Sequence, residues 1–289
     1  MNHLTNVLFK RPDFSSLRKA GFTLTDMHFH CLYSDTYTRI DGILRRAAAL
    51  GINLALTDHN CINGVAEAYN NRYKVNVIPG IEVSCKEGHH ILIYFPTFDE
   101  LRDFYLQHVE GRQGRNPYSN TSISTIDLLG ACNRFSCLTA AAHPFAPGYY
   151  GIEKNINRGF ISQDLFNRLD AVEAICGANL RRFNLKALEL IEADGKPFVG
   201  GSDGHSLHQL GDVVICTKAS TTPGILSEIR GRRNLVIGKE SIMPLRLLSM
   251  SKIASKHFRY LEPTLQSKYS NLYKKSLKYY KGRIREKLP

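Results

Sequence analysis

Asp26-Met27-His28-Phe29-His30 closes an apolar run that begins near residue 24. On a strand, residues two apart project to the same side, so His28 and His30 make a chelating pair of imidazoles and Asp26 shares their side. An isolated H-x-H pair carries little weight. Here it recurs in kind. Asp35 lies just beyond it, Asp58-His59 ends the run from Asn53, Glu82 follows Val75–Ile81, and His89-His90 opens the run Ile91–Phe95. His143 follows Ala140-Ala141-Ala142 and precedes Pro144, and Asp203 and His205, again two apart, follow Phe198–Ser202.

Between these runs lie stretches of helical period: Ile40–Leu50, Ile62–Asn71, Asp99–Val109, Thr125–Asn133 and Leu180–Ala193. Alternation of strand and helix is the signature of a parallel sheet with crossover helices. With runs at 137–142, 170–176, 197–202 and 212–217 the chain offers seven or eight such units, which favours a barrel over an open sheet. A barrel delivers the C-terminal ends of all its parallel strands to one face, so donors far apart in sequence can meet there. His89 and His90 point to opposite sides, so at most one of them faces the cluster.

The 289 residues suit one catalytic domain, expected at 21–241, with an N-terminal extension at 1–20 and a basic, mostly helical extension at 242–289. The seven cysteines form no C-x-x-C pair, which argues against a disulfide framework and a thiolate zinc site. Neither a secretory signal nor a membrane span is legible, so the expected compartment is the cytoplasm. Net charge is +12, and residues 251–289 hold eight Lys and three Arg against Glu262 and Glu286, leaving +3 for the rest. Interleaved tyrosines (Tyr260, Tyr269, Tyr273, Tyr279, Tyr280) suit that tail to nucleic acid or a peripheral anionic membrane contact, or else to packing on the body as a solvated helix. The turn-rich segment Gly111–Asn120, with Arg112 and Arg115, reads as a solvated turn on the structural face, unless it folds over the site.

These separated motifs, in this order, resemble the PHP (polymerase and histidinol phosphatase) superfamily of metal-dependent phosphoesterases over roughly residues 21–240. The resemblance implies a distorted (β/α)7 barrel holding up to three divalent ions, usually Mn, Zn or Fe. It would assign His28, His30, Glu82 and Asp203 to one ion; Glu82, His90 and His143 to a second; and Asp35, His59 and His205 to a third. His90 is preferred to His89 because the family's ligand stands directly before the apolar strand. Cys31 and Thr36 depart from residues common in the family, and neither replaces a ligand.

Such ions lower the pKa of bound water, so the expected reaction is hydrolysis of a phosphomonoester by a metal-activated hydroxide. The substrate would be a nucleotide, nucleoside bisphosphate or sugar phosphate, or the 5′ end of RNA or DNA if the tail binds polymer. Candidates for the proton donor are Asp58, His205 and a metal-bound water. Arg181 and Arg182, after the run Ala171–Cys176, are candidate phosphate contacts, or exposed helix-face cations. A metal-dependent amidohydrolase and a non-catalytic metal-binding module are the alternative classes. The first commonly uses a modified lysine where this chain has Glu82.

Overall fold

A computed structural model describes residues 6–147, 150–258 and 260. The expectations for Tyr269, Tyr273, Tyr279, Tyr280 and most of the tail's cations lie outside the described residues. The first half of the chain runs β1 (Val7–Leu8), α1 (Phe14–Lys19), β2 (Thr23–Phe29), α2 (Ile40–Leu50), β3 (Asn53–Leu56), α3 (Asn63–Ala68), β4 (Val77–Ser84) and β5 (His90–Tyr94). It continues with α4 (Phe98–Phe104), a π-helical turn Tyr105–Val109, α5 (Thr125–Cys132) and β6 (Leu138–Ala141). The second half adds α6 (Ile152–Asn157), α7 (Gln163–Asn167), β7 (Ala171–Cys176), α8 (Arg181–Asp194), β8 (Phe198–Gly201), β9 (Val213–Thr217), α9 (Thr222–Arg230), β10 (Leu235–Gly238) and α10 (Met243–Phe258).

Local sequence accounts for the helix ends. The side chains of Thr97, Ser124, Ser162 and Thr221 accept from backbone N–H groups of the first turns of α4, α5, α7 and α9, the N-cap role of hydroxyl residues. Gly51 and Gly195 end α2 and α8 in the left-handed conformation. Each long helix buries one apolar stripe, Ile40, Ile43, Leu44 and Ala47 in α2, for example.

The strands form one curled sheet in the order β1-β10-β9-β2-β3-β4-β5-β6-β7-β8. Seven of them, β2 to β8, make the distorted barrel. Its ends meet where Phe29 bridges Gly204, with Asp203 N donating to His28 O at 2.8 Å and His30 N to Gly204 O at 3.1 Å. The expectation of a parallel sheet holds for β2–β3–β4 and β6–β7–β8 and is corrected elsewhere: β5 is antiparallel to both neighbours, and β9 is antiparallel to β2. Only five residues separate β4 from β5, room for a hairpin but not for a crossover helix. The short strands β1 and β10 were not foreseen, since two and four residues show no period.

The antiparallel course of β5 has a consequence for the site. Parallel strands present their C-terminal ends at the mouth; an antiparallel neighbour presents its N-terminal end there. His90, the first residue of β5, therefore arrives on the same face as residues that follow β2, β3, β6 and β8. Pro79-Gly80 does not interrupt β4 but marks a change of partner: Pro79 pairs with Leu56 of β3, and Gly80 with Tyr94 of β5. Glu82 thus sits within the strand.

Closure of the barrel depends on a glycine. A Cβ at Gly201 would lie 2.3 Å from His28 Cβ and 2.4 Å from His28 N, both fixed atoms. Gly201→Ala should therefore destabilise the fold by about 1–3 kcal/mol in urea unfolding. Gly130→Ala, in exposed helix with nothing within 4 Å, should stabilise by about 0.5–1 kcal/mol.

Candidate metal centre

Glu82 is the hub of the barrel mouth. It is fully buried, and its two oxygens divide the surrounding imidazoles into two sets. Oε1 lies 3.0 Å from His90 Nδ1 and 3.1 Å from His143 Nε2. Oε2 lies 3.2 Å from His59 Nδ1 and 3.4 Å from both His28 Nε2 and His30 Nε2. Asp203 Oδ1 joins the second set, 3.1 Å from His30 Nε2 and 3.5 Å from His28 Nε2. Beyond it, Asp35 faces His205 Nε2 at 3.2 Å and His59 Nε2 at 3.6 Å.

All nine sequence-predicted ligand positions thus converge. Three donor groups stand close enough to hold an ion: His28, His30 and Glu82; His30, Asp35 and His205; His59, Glu82 and His90. The division implied by the family resemblance differs at His59 and His30. His59, assigned beside Asp35, also turns a nitrogen to Glu82, while His30 belongs to two groups. His89 lies elsewhere, between Thr125 Oγ1 (3.1 Å) and Asn155 Nδ2 (3.2 Å).

The chemistry of this donor set fits divalent cations. His28 Nε2 and His30 Nε2 face each other at 3.2 Å, and among the described residues buried Glu82 Oε2 has no hydrogen-bond partner. Buried lone pairs aimed at one point are costly unless a cation or protons satisfy them. The protein's own charges show the same tension. Burial pushes the Glu82 carboxyl up, but His59, His90 and His28 override it and hold it well below the usual range. Burial pushes His205 down, but Asp35 overrides it and raises it to about 9. His28 is likewise raised well above its usual range by Glu173, Asp203 and Glu82 against the effect of burial, whereas burial and His205 drive His30 down to about 4.

Backbone placement is strained at two of these residues. His143 (φ 28°) and Asp203 (φ 48°) adopt the left-handed region that residues with a Cβ avoid. His143 N donates to Glu173 Oε2 at 2.7 Å and Asp203 N to His28 O, bonds that hold the two turns in place.

One supporting residue, Glu173, went unread in the sequence, and another, Asp26, was placed on the wrong side. Glu173, buried in β7, accepts from His28 Nδ1 at 3.0 Å as well as from His143 N, so it fixes the tautomer that leaves His28 Nε2 free. The signal was an acid inside the otherwise apolar run Ala171–Cys176. Asp26, expected on the side of His28 and His30, instead turns from the cluster and accepts from Ser202 N, Ser202 Oγ and Gly211 N, tying β2 to β8. Burial raises it to about 7.

Three further expectations require correction. Asp58 does not line the cavity; its carboxylate accepts from Cys31 N at 2.7 Å and Cys31 Sγ at 2.6 Å beneath the site. Arg181 is held by Glu240 at 2.6 Å and lies over the Phe9 ring, while Arg182 lies over Phe183, and neither reaches the mouth. The segment Gly111–Asn120 lies at the site rather than on the structural face. Asn60 Nδ2, next to His59, donates to Pro117 O and Ser119 O, and Tyr118 lines the cavity.

That cavity, about 240 Å³, is floored by the His/Asp/Glu cluster and walled by Tyr118, Tyr150, Asn179, Ile253 and His257. The last two belong to α10, so a helix expected to lie in a separate extension forms part of the site.

A barrel mouth of this kind, with buried imidazoles grouped about a shared carboxylate, defines a metal-dependent hydrolase. The PHP domain family model matches residues 26–184, and a PHP-associated model matches 181–234; the chain belongs to the PHP family. No curated protein matches it. Among solved structures, Endonuclease Q in complex with a 27-mer duplex carrying an abasic lesion is similar at 22% identity over 73% of this chain, with a TM-score of 0.59. An endonuclease of the same kind from Pyrococcus furiosus gives 20% identity over 74% and 0.60, and this chain spans only 57% of either one's length. An amidohydrolase from Chromobacterium violaceum gives 21% identity, 73% of this chain, 97% of that chain and 0.54. At these identities the likeness is one of fold.

Two measurements test the centre. Glu173→Gln keeps one acceptor but loses the other, and metal affinity by titration calorimetry should fall about 10–100-fold. Because His205 and His28 carry raised pKa values, an incoming ion must displace their protons. Apparent affinity should therefore rise with pH up to about 9, the value of His205, with net proton release seen in buffers of different ionisation enthalpy.

Proposed function

We propose that this chain is a metal-dependent phosphatase acting on a small phosphomonoester. The observation that carries this reading is Glu82, one buried carboxylate with His90 and His143 at one oxygen and His28, His30 and His59 at the other. His28, His30, Asp203 and Glu82 would hold one divalent ion, His90, His143 and Glu82 a second, and Asp35, His205 and His59 a third. Mn, Zn and Fe all accept such nitrogen and oxygen donors. Bound there, ions of this class lower the pKa of water and neutralise charge on a phosphoryl group.

The chain's own residues set the rest. Eight of the nine donor residues are buried, so the reacting group is received away from bulk solvent. His205 Nδ1 hydrogen-bonds to Asp203 O at 2.9 Å, which keeps Nε2 toward Asp35 and leaves His205 a ligand rather than a proton donor. The cavity of about 240 Å³ is smaller than a typical small-ligand site, room for a phosphoryl group and a compact leaving group. Glu82, and no lysine, stands where the donor groups meet, which favours phosphoester over amide hydrolysis.

A second reading, cleavage from the 5′ end of RNA or DNA, rests on one observation: α10 brings His257 to the mouth, and the cations of the tail follow directly in sequence. The protein with Mn²⁺ should hydrolyse small phosphomonoesters, lose activity to a chelator, and lose it in Glu82→Ala by at least about 1000-fold. Deleting residues 261–289 should spare a small ester. If polymer is the substrate, that deletion weakens its turnover and flattens its salt dependence; polymer turnover unchanged in rate and salt slope eliminates the second reading.

A further inference from the structure

His257 lies outside both matched family regions and outside the expected catalytic domain, yet it lines the same cavity as Asp35, His59, Glu82 and His205. Its position is fixed by its neighbour in sequence. Lys256 is buried, and its Nζ donates to Leu32 O at 2.8 Å and Ser34 O at 3.1 Å, carbonyls of the loop that carries Asp35. Tyr37 OH bonds Ser255 Oγ at 3.0 Å, and Ser249 Oγ donates to Gln209 Oε1 at 2.9 Å, so α10 is anchored along its length. Successive helix residues turn by about 100°, so the latch that points Lys256 at the loop points His257 at the cavity.

The imidazole is also oriented. Tyr118 N donates to Asn116 Oδ1 at 3.1 Å, which assigns Asn116 Nδ2 as the donor to His257 Nδ1 at 2.8 Å. A ring that accepts at Nδ1 carries its hydrogen at Nε2. Tyr118 packs against the ring edge at 5.8 Å, and Nε2 makes no hydrogen bond within the described residues. Asn116 and Tyr118 both come from the segment Gly111–Asn120, so two elements unrelated to the ligand motifs cooperate to aim one N–H into the cavity.

We propose that His257 is a substrate-contacting residue, donating its Nε2–H to a phosphoester oxygen. This rests on the phosphatase reading. It gives the site the neutral donor that Arg181, Arg182 and Asp58 do not supply, and it makes α10 part of the active site.

The test uses the full chain loaded with Mn²⁺, comparing wild type, His257→Ala, His257→Gln and Asn116→Ala. Inorganic phosphate binding is measured by calorimetry, alongside kcat and KM for p-nitrophenyl phosphate, metal content and Tm. His257→Ala should weaken phosphate binding and kcat/KM about 10–100-fold with metal content and Tm unchanged, the loss of one hydrogen bond to a charged group. His257→Gln, which keeps an N–H donor, should recover most of the loss, and Asn116→Ala should fall between. Phosphate binding by His257→Ala equal to wild type overturns the proposal. So does an equal loss in both His257 variants accompanied by lower metal content or Tm, which marks a structural role. A wild type that binds phosphate through His257 but turns over no ester sinks the phosphatase reading and leaves this contact standing.

Discussion

The buried carboxylate of Glu82 is the constraint on which the rest of the site depends. An ionised carboxylate without compensation is among the costliest groups to bury, and here it is set against five imidazoles that lie within 3.4 Å of its oxygens. Neither side of that arrangement is stable alone. The imidazoles repel one another when protonated, adding His205 to the burial that depresses His30, and the carboxylate needs positive charge on both faces. Divalent cations satisfy both demands together, which is why the geometry reads as a metal centre rather than as an ion-pair network.

The barrel exists to hold that arrangement against its own cost. Gly201 lets β8 approach β2 closely enough for His28 O to accept from Asp203 N, and the left-handed turn at Asp203 follows from that contact. Glu173 spans β7, using one oxygen for His28 and the other for the strained backbone at His143. Asp26 ties the same two strand ends from beneath. Each support is a buried polar group with its partners in place, the condition under which a polar core is rigid rather than merely expensive.

Around the cluster the chain adds walls from elsewhere. The segment Gly111–Asn120 and α10 meet over the mouth through Asn116 and His257, and Lys256 pins the helix to the Asp35 loop. Where a barrel is shared by a broad family, such additions on loops and flanking elements are where function varies.

All eight apolar runs became strands and the five helical periods became helices, because each depends on side-chain alternation that a linear reading detects. The nine converging donor residues were equally visible, since donors at the ends of apolar runs have few other reasons to be there. The direction of β5 was not, although its short connection to β4 held the clue, and Glu173 was hidden by its apolar neighbours. The roles of Asp58, Arg181 and Arg182 were misread because a donor's availability depends on its partners, here Cys31, Glu240 and two aromatic rings. Sequence by itself determined the barrel class, the nine converging residues and the metal-dependent chemistry they fit, all consequences of local period and donor type. Only the tertiary structure decided how Glu82 divides the imidazoles, which carboxylate orients His28, and that α10 closes the site, because those facts arise from contacts between residues distant in sequence, which no local pattern encodes.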